Sequence, residues 1–492
     1  MRKPEPIALE ARQPPRAEPD PGRRPWSLLI LLSVAQFMVI LDATVVNVAL
    51  PSIGHSLRFA AGDLQWVVTA YVLLSGGLVL LGGRAADVAG RRRMFLAGLA
   101  VFTAASLASG LAPDAGALVA ARAGQGLGAA LLTPAALSII TTTYSGAQRA
   151  TALSVWGAIG GAGAGAGVLA GGMLTTWLGW RSVFLVNVPV GAVAGVLSLR
   201  LVPRSPALAR IGRELDLPGA ALATAGLVTG VYALAGAPAH GWGSARTLLL
   251  LGVSLGLLAA FAVAERSARR PLLPPGTWRS RSLVAGAAVM LGTTGLLVGT
   301  FFLNSLYLQD VQHLSPLRAG LEFLPVTVVI GLGAHLASRL LPRAGTRVLA
   351  VAGLLLMGGG ALLLSGASAR AGYLTGLLPG LLIIGAGVGL VFPAVSVTAM
   401  SQVAADRAGL ASGLMTTAHE IGAALGVAVF SVVAIAVGGG GFAAGGFAAS
   451  GFAAGYRHGF TMAAGVAAVL AVLAATAVPA VRPADGARIA VH

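Results

Sequence analysis

Apolar runs long enough to cross a membrane recur along this chain from Trp26 to Ala480, separated by short polar connections. An α-helix needs ~20 apolar residues to cross the hydrocarbon of a bilayer. In hydrocarbon each backbone N–H and C=O must be satisfied within the segment, so such runs fold as helices. The pattern predicts spans near 27–50, 64–83, 93–112, 115–141, 151–174, 183–201, 217–236, 247–264, 283–307, 318–337, 348–366, 373–399, 409–436 and 460–480. The expected fold is therefore an all-α polytopic membrane protein of about fourteen transmembrane helices. The first run is too long for a signal-peptide core and lacks a clear cleavage site, so it is expected to remain as a membrane anchor. Residues 1–25, rich in Pro, Arg and Glu, read as a disordered cytoplasmic tail. Residues 438–455 repeat Gly-Phe-Ala-Ala at Gly441, Gly446 and Gly451, which reads as a flexible external loop of low complexity.

Composition agrees with this solvent. Only 10% of the residues are charged, against about 25% in soluble domains. The 70 glycines would burden soluble helices but suit membrane helices, where small residues let backbones approach. There is no cysteine, which excludes disulfides and thiolate chemistry. Lys3 is the only lysine, so a phosphate-binding Walker loop is impossible. The net charge of +17 does not imply nucleic acid, because the basic residues fall in connections and form no single polar face. With the N-terminus in the cytoplasm, 26 of the 33 basic residues lie in cytoplasmic segments, as the positive-inside rule requires. Both termini are then cytoplasmic.

Charges inside spans are costly and normally face a bundle interior or a wet cavity. Asp42 lies ~13 Å inward from Pro51 and Arg122 ~10 Å inward from Ala115, at 1.5 Å per residue. Opposite charges at similar depth point to a pair. It is either structural or a proton carrier (Asp42) held by a permanent cation (Arg122). Span five carries four-spaced glycines, including Gly163, Gly167 and Gly171, with Gly172 beside them; such rows line a helix face for close packing. Between spans two and three runs Gly83-Arg-Ala-Ala-Asp87-Val-Ala-Gly90-Arg91-Arg92-Arg93. Gly90 permits a tight turn, and Asp87 can meet the following helix start or Arg91 and Arg92. Gln36, Asn47, Tyr71, Gln125, Asn187, Asn304, Tyr307, Gln309, Glu322 and Glu420 are candidates to line a substrate cavity, with helix–helix hydrogen bonding as the alternative use. His419 and His335 are further polar groups within spans.

The 83–93 loop resembles motif A of the major facilitator superfamily, with Val88 where an arginine is usual. In that family it acts as a cytoplasmic conformational latch, here Gly83, Asp87, Gly90, Arg91 and Arg92. A degenerate counterpart, Ser338-Arg-Leu-Leu-Pro-Arg343-Ala-Gly345-Thr-Arg347, follows span ten. Leu41-Asp42-Ala-Thr44-Val-Val-Asn47-Val-Ala-Leu-Pro51 resembles the signature of the fourteen-span drug–proton antiporter branch (EmrB/QacA type). So do Gln65-Trp66-Val-Val-Thr-Ala-Tyr71, Trp180-Arg181-Ser-Val-Phe-Leu-Val-Asn187-Val-Pro189, Leu215-Asp216-Leu-Pro218-Gly219, Tyr307-Leu308-Gln309 and Ser315-Pro316-Leu-Arg-Ala-Gly320. Arg122-Ala-Gly-Gln125-Gly126-Leu-Gly128 resembles motif B, linked to proton coupling. The glycines of span five resemble antiporter motif C, with Val168 in place of its usual proline.

The resemblance implies two pseudo-symmetric six-helix halves with a two-helix insertion. The divisions are a tail (1–25), an N-terminal bundle (26–201), a linker with two inserted helices (202–282), a C-terminal bundle (283–480) and a cytoplasmic tail (481–492). The function it implies is proton-coupled export of small amphipathic or drug-like compounds by alternating access, in a bacterial plasma membrane, by a monomer. The expected partners are substrate, protons and the lipid bilayer, with no nucleic acid, cofactor or metal. A facilitator or importer of the same fold, or a non-transporting membrane sensor, are the alternatives. No nucleophile–base or metal-ligand constellation suggests an enzyme.

Overall fold

A computed structural model of the chain describes residues 25–59, 63–144, 146–203, 216–268, 271, 280–366, 372–401, 408–437 and 449–482. The described residues contain helices and turns and no strand. The helices are α1 (Pro25–Leu57), α2 (Trp66–Ala89), α3 (Arg91–Gly110), α4 (Ala115–Thr143), α5 (Gly146–Leu178), α6 (Ser182–Leu185) and α7 (Asn187–Leu201). After them come α8 (Leu217–His240), α9 (Ala245–Ser267), α10 (Arg281–Leu306), α11 (Pro316–Ser365), α12 (Leu378–Met400), α13 (Ala408–Val437) and α14 (Ala449–Ala477). Single π-helical turns extend α10 (Tyr307–Val311) and precede α12 (Tyr373–Leu377).

Twelve of these helices are long and apolar enough to cross a membrane. One of the twelve is the fifty-residue α11, which joins two expected spans across a kink at Gly345. α5 is apolar over Gly165–Leu178 and helical from Gly146. With two arms for α11 and a crossing for α5, the arrangement is consistent with fourteen spans. One expectation is corrected. The third Gly-Phe-Ala-Ala copy, at Gly451, is helical within α14 rather than loop, because alanine-rich sequence sustains the helix ahead of the apolar run. The copies at Gly441 and Gly446, the tail up to residue 24, residues 204–215, 269–270 and 272–279 of the linker, and residues 483–492 lie outside the described residues.

Several motif residues build helix starts. Asp216 accepts from Gly219 N at 2.9 Å and Pro218 occupies the first turn of α8. Ser315 caps α11 with Pro316 at its start. These are the side-chain acceptors and the pre-set φ that a helix N-terminus favours. Gly90 (φ 97°) and Gly345 (φ 80°) turn the chain at equivalent places in the two halves, a backbone region that glycine enters without steric cost.

The first seven helices pack as one bundle, α1 on α5 and α4 on both α2 and α3. Helices α10–α14 form the second, with α11 against α12 and α14 and α10 against α13. Two seams join the bundles, α2 with α13 and α5 with α11. Both are glycine-lined. A Cβ on Gly76 would collide with Glu420, one on Gly413 with Leu80, and one on Gly172 would come within 2.8 Å of Leu317 Cα. The inserted α8 and α9 pair with each other, and α8 leans on α2 and α13. α9 leaves Leu248, Leu249, Leu255 and Val263 exposed, as a lipid-facing helix does.

One end of the molecule carries Gly90, Arg339 and Gly345 and is called the basic end here; Pro51 and Ser315 lie at the opposite end. There the bundles are tied together. Ser305 Oγ donates to Asn47 O at 2.6 Å, Gln309 Nε2 to Val48 O at 2.9 Å and Leu317 N to Thr176 Oγ1 at 3.0 Å. His55 Nε2 sits 3.3 Å from Asp310 Oδ1.

Candidate functional site

The chemistry-bearing centre lies inside the N-terminal bundle. Asp42 comes from the middle of α1, five residues past Phe37, where the helix has no other acid. Arg122 comes from the second turn of α4, a helix started by Asp114, which accepts from Ala117 N at 2.8 Å. Arg122 Nη1 lies 2.5 Å from Asp42 Oδ2, and both side chains are 0% exposed.

Glycines bring the supporting helices close enough. A Cβ on Gly126 would collide with Tyr71 O of α2, and one on Gly128 would come within 2.5 Å of Phe102 N of α3. The motif-B spacing thus places Arg122 and Gln125 between α2 and α3. Arg122 Nε donates to Val67 O at 2.8 Å. Its guanidinium carbon stands 4.3 Å from the Tyr71 ring centroid and 5.7 Å from that of Phe184, the arrangement in which a ring face attracts a cation. Arg122 Nη2 has no hydrogen-bond acceptor among the described residues.

The carboxylate is satisfied by three side chains from two helices, α4 and α7. Besides Arg122, Gln125 Nε2 donates to Oδ1 at 2.9 Å and Asn187 Nδ2 at 2.8 Å. Gln125 is held in turn: Nε2 donates to Ser106 Oγ at 2.8 Å, and Oε1 accepts from Ser109 Oγ and Arg122 Nη1, both at 3.0 Å. A buried ion pair tolerates its desolvation only with good geometry and such further hydrogen bonds. Removing one member would strand the other.

The structure places the remaining expected residues as follows. Gln125, Asn187 and Tyr71 belong to this network, buried, and do not line an open cavity in this conformation. Asn304 accepts from Tyr456 Oη at 2.9 Å, and Tyr307 stacks on Tyr456 with centroids 4.9 Å apart. Gln36 accepts from Thr133 Oγ1 at 3.1 Å. Asn47 donates to Ala43 O, and Gln309 crosses to the N-terminal bundle as described. Glu322 lies one turn from Arg318, 3.9 Å away. Each of these has a protein partner because an unpaired polar group at this depth is costly. Glu420 meets Ser75 Oγ at 3.1 Å, and His419 Nδ1 meets Thr294 Oγ1 at 3.0 Å; His335 is exposed on α11.

The glycines of α5 face two ways. Gly163, Gly167 and Gly171 meet Ile40, Thr44 and Val45 of α1, whereas Gly172 meets α11. Despite Val168, α5 is one helix, and the Val168 carbonyl lies where a Cβ on Gly320 would come within 2.8 Å. In the motif-A segment, Arg92 Nη2 donates to Leu199 O at 2.6 Å, within the same bundle. The Asp87 side chain lies outside the described residues. At the counterpart turn, Thr346 N donates to Val481 O at 3.0 Å, Thr346 Oγ1 to Pro479 O at 2.8 Å and Arg347 Nε to Val478 O at 2.7 Å. Sequence reasoning had not assigned Ser106, Ser109 or Val67 to the Asp42 site. The two serines, three apart in an apolar span, carried a signal; the carbonyl carried none.

The sequence profile of the Major Facilitator Superfamily matches residues 32–427. The chain belongs to the major facilitator superfamily. This superfamily member is 42% identical over 482 residues to the puromycin resistance protein pur8 of Streptomyces alboniger, covering 97% of the present chain and 94% of that protein. It is 41% identical over 410 residues to the cephamycin export protein CmcT of Amycolatopsis lactamdurans, covering 82% and 84% of the two. Its fold is similar to that of a bacterial homologue of the human lysosomal transporter Spinster, in an inward-facing and occupied conformation. There the TM-score is 0.67 at 17% identity, with 92% and 97% of the two chains covered. The architecture is that of a multi-pass membrane transporter, and its resemblance to the fourteen-span branch is consistent with the helix arrangement.

Proposed function

We propose that this protein is an efflux transporter that expels an amphipathic antibiotic in exchange for protons, with Asp42 as a proton-carrying group and Arg122 as its fixed partner. The observation that carries the reading is the buried Asp42–Arg122 pair, braced by Gln125 and Asn187. Arginine does not release its proton, so Asp42 alone in this pair can change charge. Substrate or a rearrangement that separates the two would let the carboxyl take up a proton, and that competition links cargo to proton flow. Relatives named for puromycin and cephamycin support a cargo that is an antibiotic. Puromycin is the first compound to test.

The two bundles, taken as 26–201 and 283–480, rock about the seams. Charge placement supports a cytoplasmic basic end with both termini on that side. The bonds at the Pro51–Ser315 end then close the outer face. Gly83, Asp87, Gly90, Arg91 and Arg92 form the latch at the inner face, and the plasma membrane is the site of action. Polar groups now paired inside the protein, such as Asn47, Gln309 and Glu322, become cargo contacts only as the bundles separate. The working unit is the single chain.

The test uses everted vesicles energised to an acid interior. Adding puromycin should dissipate the pH gradient with the wild-type protein and leave it intact with Asp42→Asn. Dissipation at the wild-type rate by Asp42→Asn removes Asp42 from the mechanism. Puromycin movement that ignores an uncoupler identifies a facilitator instead.

A further inference from the structure

Every described partner of Asp42 lies in the bundle that contains Asp42: Arg122 and Gln125 on α4 and Asn187 on α7. The pair moves with that bundle as a unit and does not by itself touch the other. Glu420 is placed differently. It sits on α13, ~18 Å along the helix from Ala408, and its Oε2 accepts from Ser75 Oγ on α2 at 3.1 Å. That bond crosses a seam. It is made possible by Gly76, where any Cβ would collide with Glu420.

Among the described residues no basic side chain forms an ion pair with Glu420, which is half-buried. The titratable groups around it are Tyr71 on α2 and His419 beside it on α13, whose ring meets Thr294 of α10 and Phe392 of α12. From α8, Thr224 packs on the adjoining Gly77.

Tyr71 also joins this carboxyl to the Arg122 site. Positions 67, 71 and 75 lie one turn apart on one face of α2. Val67 O accepts from Arg122, the Tyr71 ring lies under Arg122, and Ser75 donates to Glu420. One helix face thus runs from the buried pair to the seam.

We infer that Glu420 is a second proton site, the one whose protonation is tied to closing and opening of the α2–α13 seam. An ionised carboxylate without a cation is expensive at membrane depth. The closed seam therefore favours the neutral acid hydrogen-bonded with Ser75. When α2 and α13 part, water replaces Ser75, the proton leaves to that water, and the anion disfavours reclosure until a proton is taken up again. The equilibrium shifts by the difference in proton affinity between the two states and by nothing else. Asp42 answers to events inside one bundle; Glu420 answers to the movement between them.

This inference rests on the exporter reading for the direction in which protons are used, so its test separates the two. The chain has no cysteine, so a spin-label pair can be introduced at Arg93→Cys and Arg339→Cys, exposed positions on opposite bundles. Distances are measured by electron–electron resonance in nanodiscs over a pH series, with no cargo. The expected result is a pH-dependent shift between two distance populations. Glu420→Gln should abolish the shift, Glu420→Asp should keep it, and Ser75→Ala should move its midpoint. A shift retained in Glu420→Gln, or missing from the wild type, overturns the inference. A shift lost in Asp42→Asn but kept in Glu420→Gln assigns the switch to the buried pair and overturns it too. In proteoliposomes, gradient-driven puromycin transport by Glu420→Gln should fall about 5- to 150-fold, the ordinary range of coupling between two sites, while puromycin counterflow persists. Wild-type protein that moves no puromycin would count against the exporter reading, and the distance measurement would still decide the role of Glu420.

Discussion

The two bundles share a layout and differ in what they bury. In the N-terminal bundle the first helix carries Asp42, answered by Arg122, Gln125 and Asn187. In the C-terminal bundle the first helix carries buried Asn304 nearer the Pro51–Ser315 end, answered by Tyr456 and by Thr300 O. One core holds a full charge pair with a layer of amides and hydroxyls around it. The other holds a neutral pair beside stacked tyrosines. The difference is therefore one of charge: the first network holds an acid and a permanent cation, and the second holds neither. The turn regions differ in the same sense. After Gly90 an arginine is tied to Leu199 of its own bundle, whereas after Gly345 Thr346 and Arg347 clasp the segment that follows α14.

The largest effect expected from breaking this contrast is at Arg122. Arg122→Leu leaves Asp42 buried without its cation and should cost about 3–5 kcal/mol of stability, the penalty of an unpaired buried charge. Thermal unfolding in detergent or lipid reads it, and adding Asp42→Asn to the same variant should recover much of the loss. Without that recovery the pair is not what Arg122 stabilises. A single amide contact to the carboxylate is next: Asn187→Ala should cost about 1.5–3 kcal/mol, as for a hydrogen bond to a charged group. The matching change in the neutral network, Tyr456→Phe, should cost about 1–3 kcal/mol, the penalty of one unsatisfied buried acceptor, and less than Arg122→Leu. Equal losses for Tyr456→Phe and Arg122→Leu would erase the distinction between the cores. The smallest effect is at the bundle junction. His55→Ala removes the contact with Asp310, in which the histidine side chain is 58% exposed, and such exposed polar contacts contribute about 0–1 kcal/mol. Its stability should stay near wild type.

Much of the fold could be read from the chain because a bilayer leaves few choices. Apolar length set the spans, and the charge count set an orientation to test. The kink at Gly345 was legible as a glycine in a basic turn. Asp216, Pro218, Ser315 and Pro316 were read only as marks of resemblance, and the structure shows that they start helices. Matching depths made Asp42 and Arg122 candidates for a pair, and the structure is what places them 2.5 Å apart. What depth does not give is azimuth. Gln125 and Asn187 could line a cavity or bond between helices, because rotation of α4 and α7 about their axes decides whether they face Asp42 or open space; the close contacts of Gly126 and Gly128 on α4 and of Gly191 on α7 set that rotation. Ser75 and Glu420 were unreadable as neighbours for the same reason, since they lie 345 positions apart and meet only once α2 and α13 are packed.

The inserted helices carry one more consequence. α8 rests on α2 and α13 together and so stands as a fence along one flank of the molecule. No inserted helix packs on the other seam, α5 with α11, among the described residues. The two seams therefore present unequal surfaces to the surrounding lipid. The flank beside α5 and α11, lined by Gly165, Gly172 and Gly320, is thus the one that the insertion leaves uncovered.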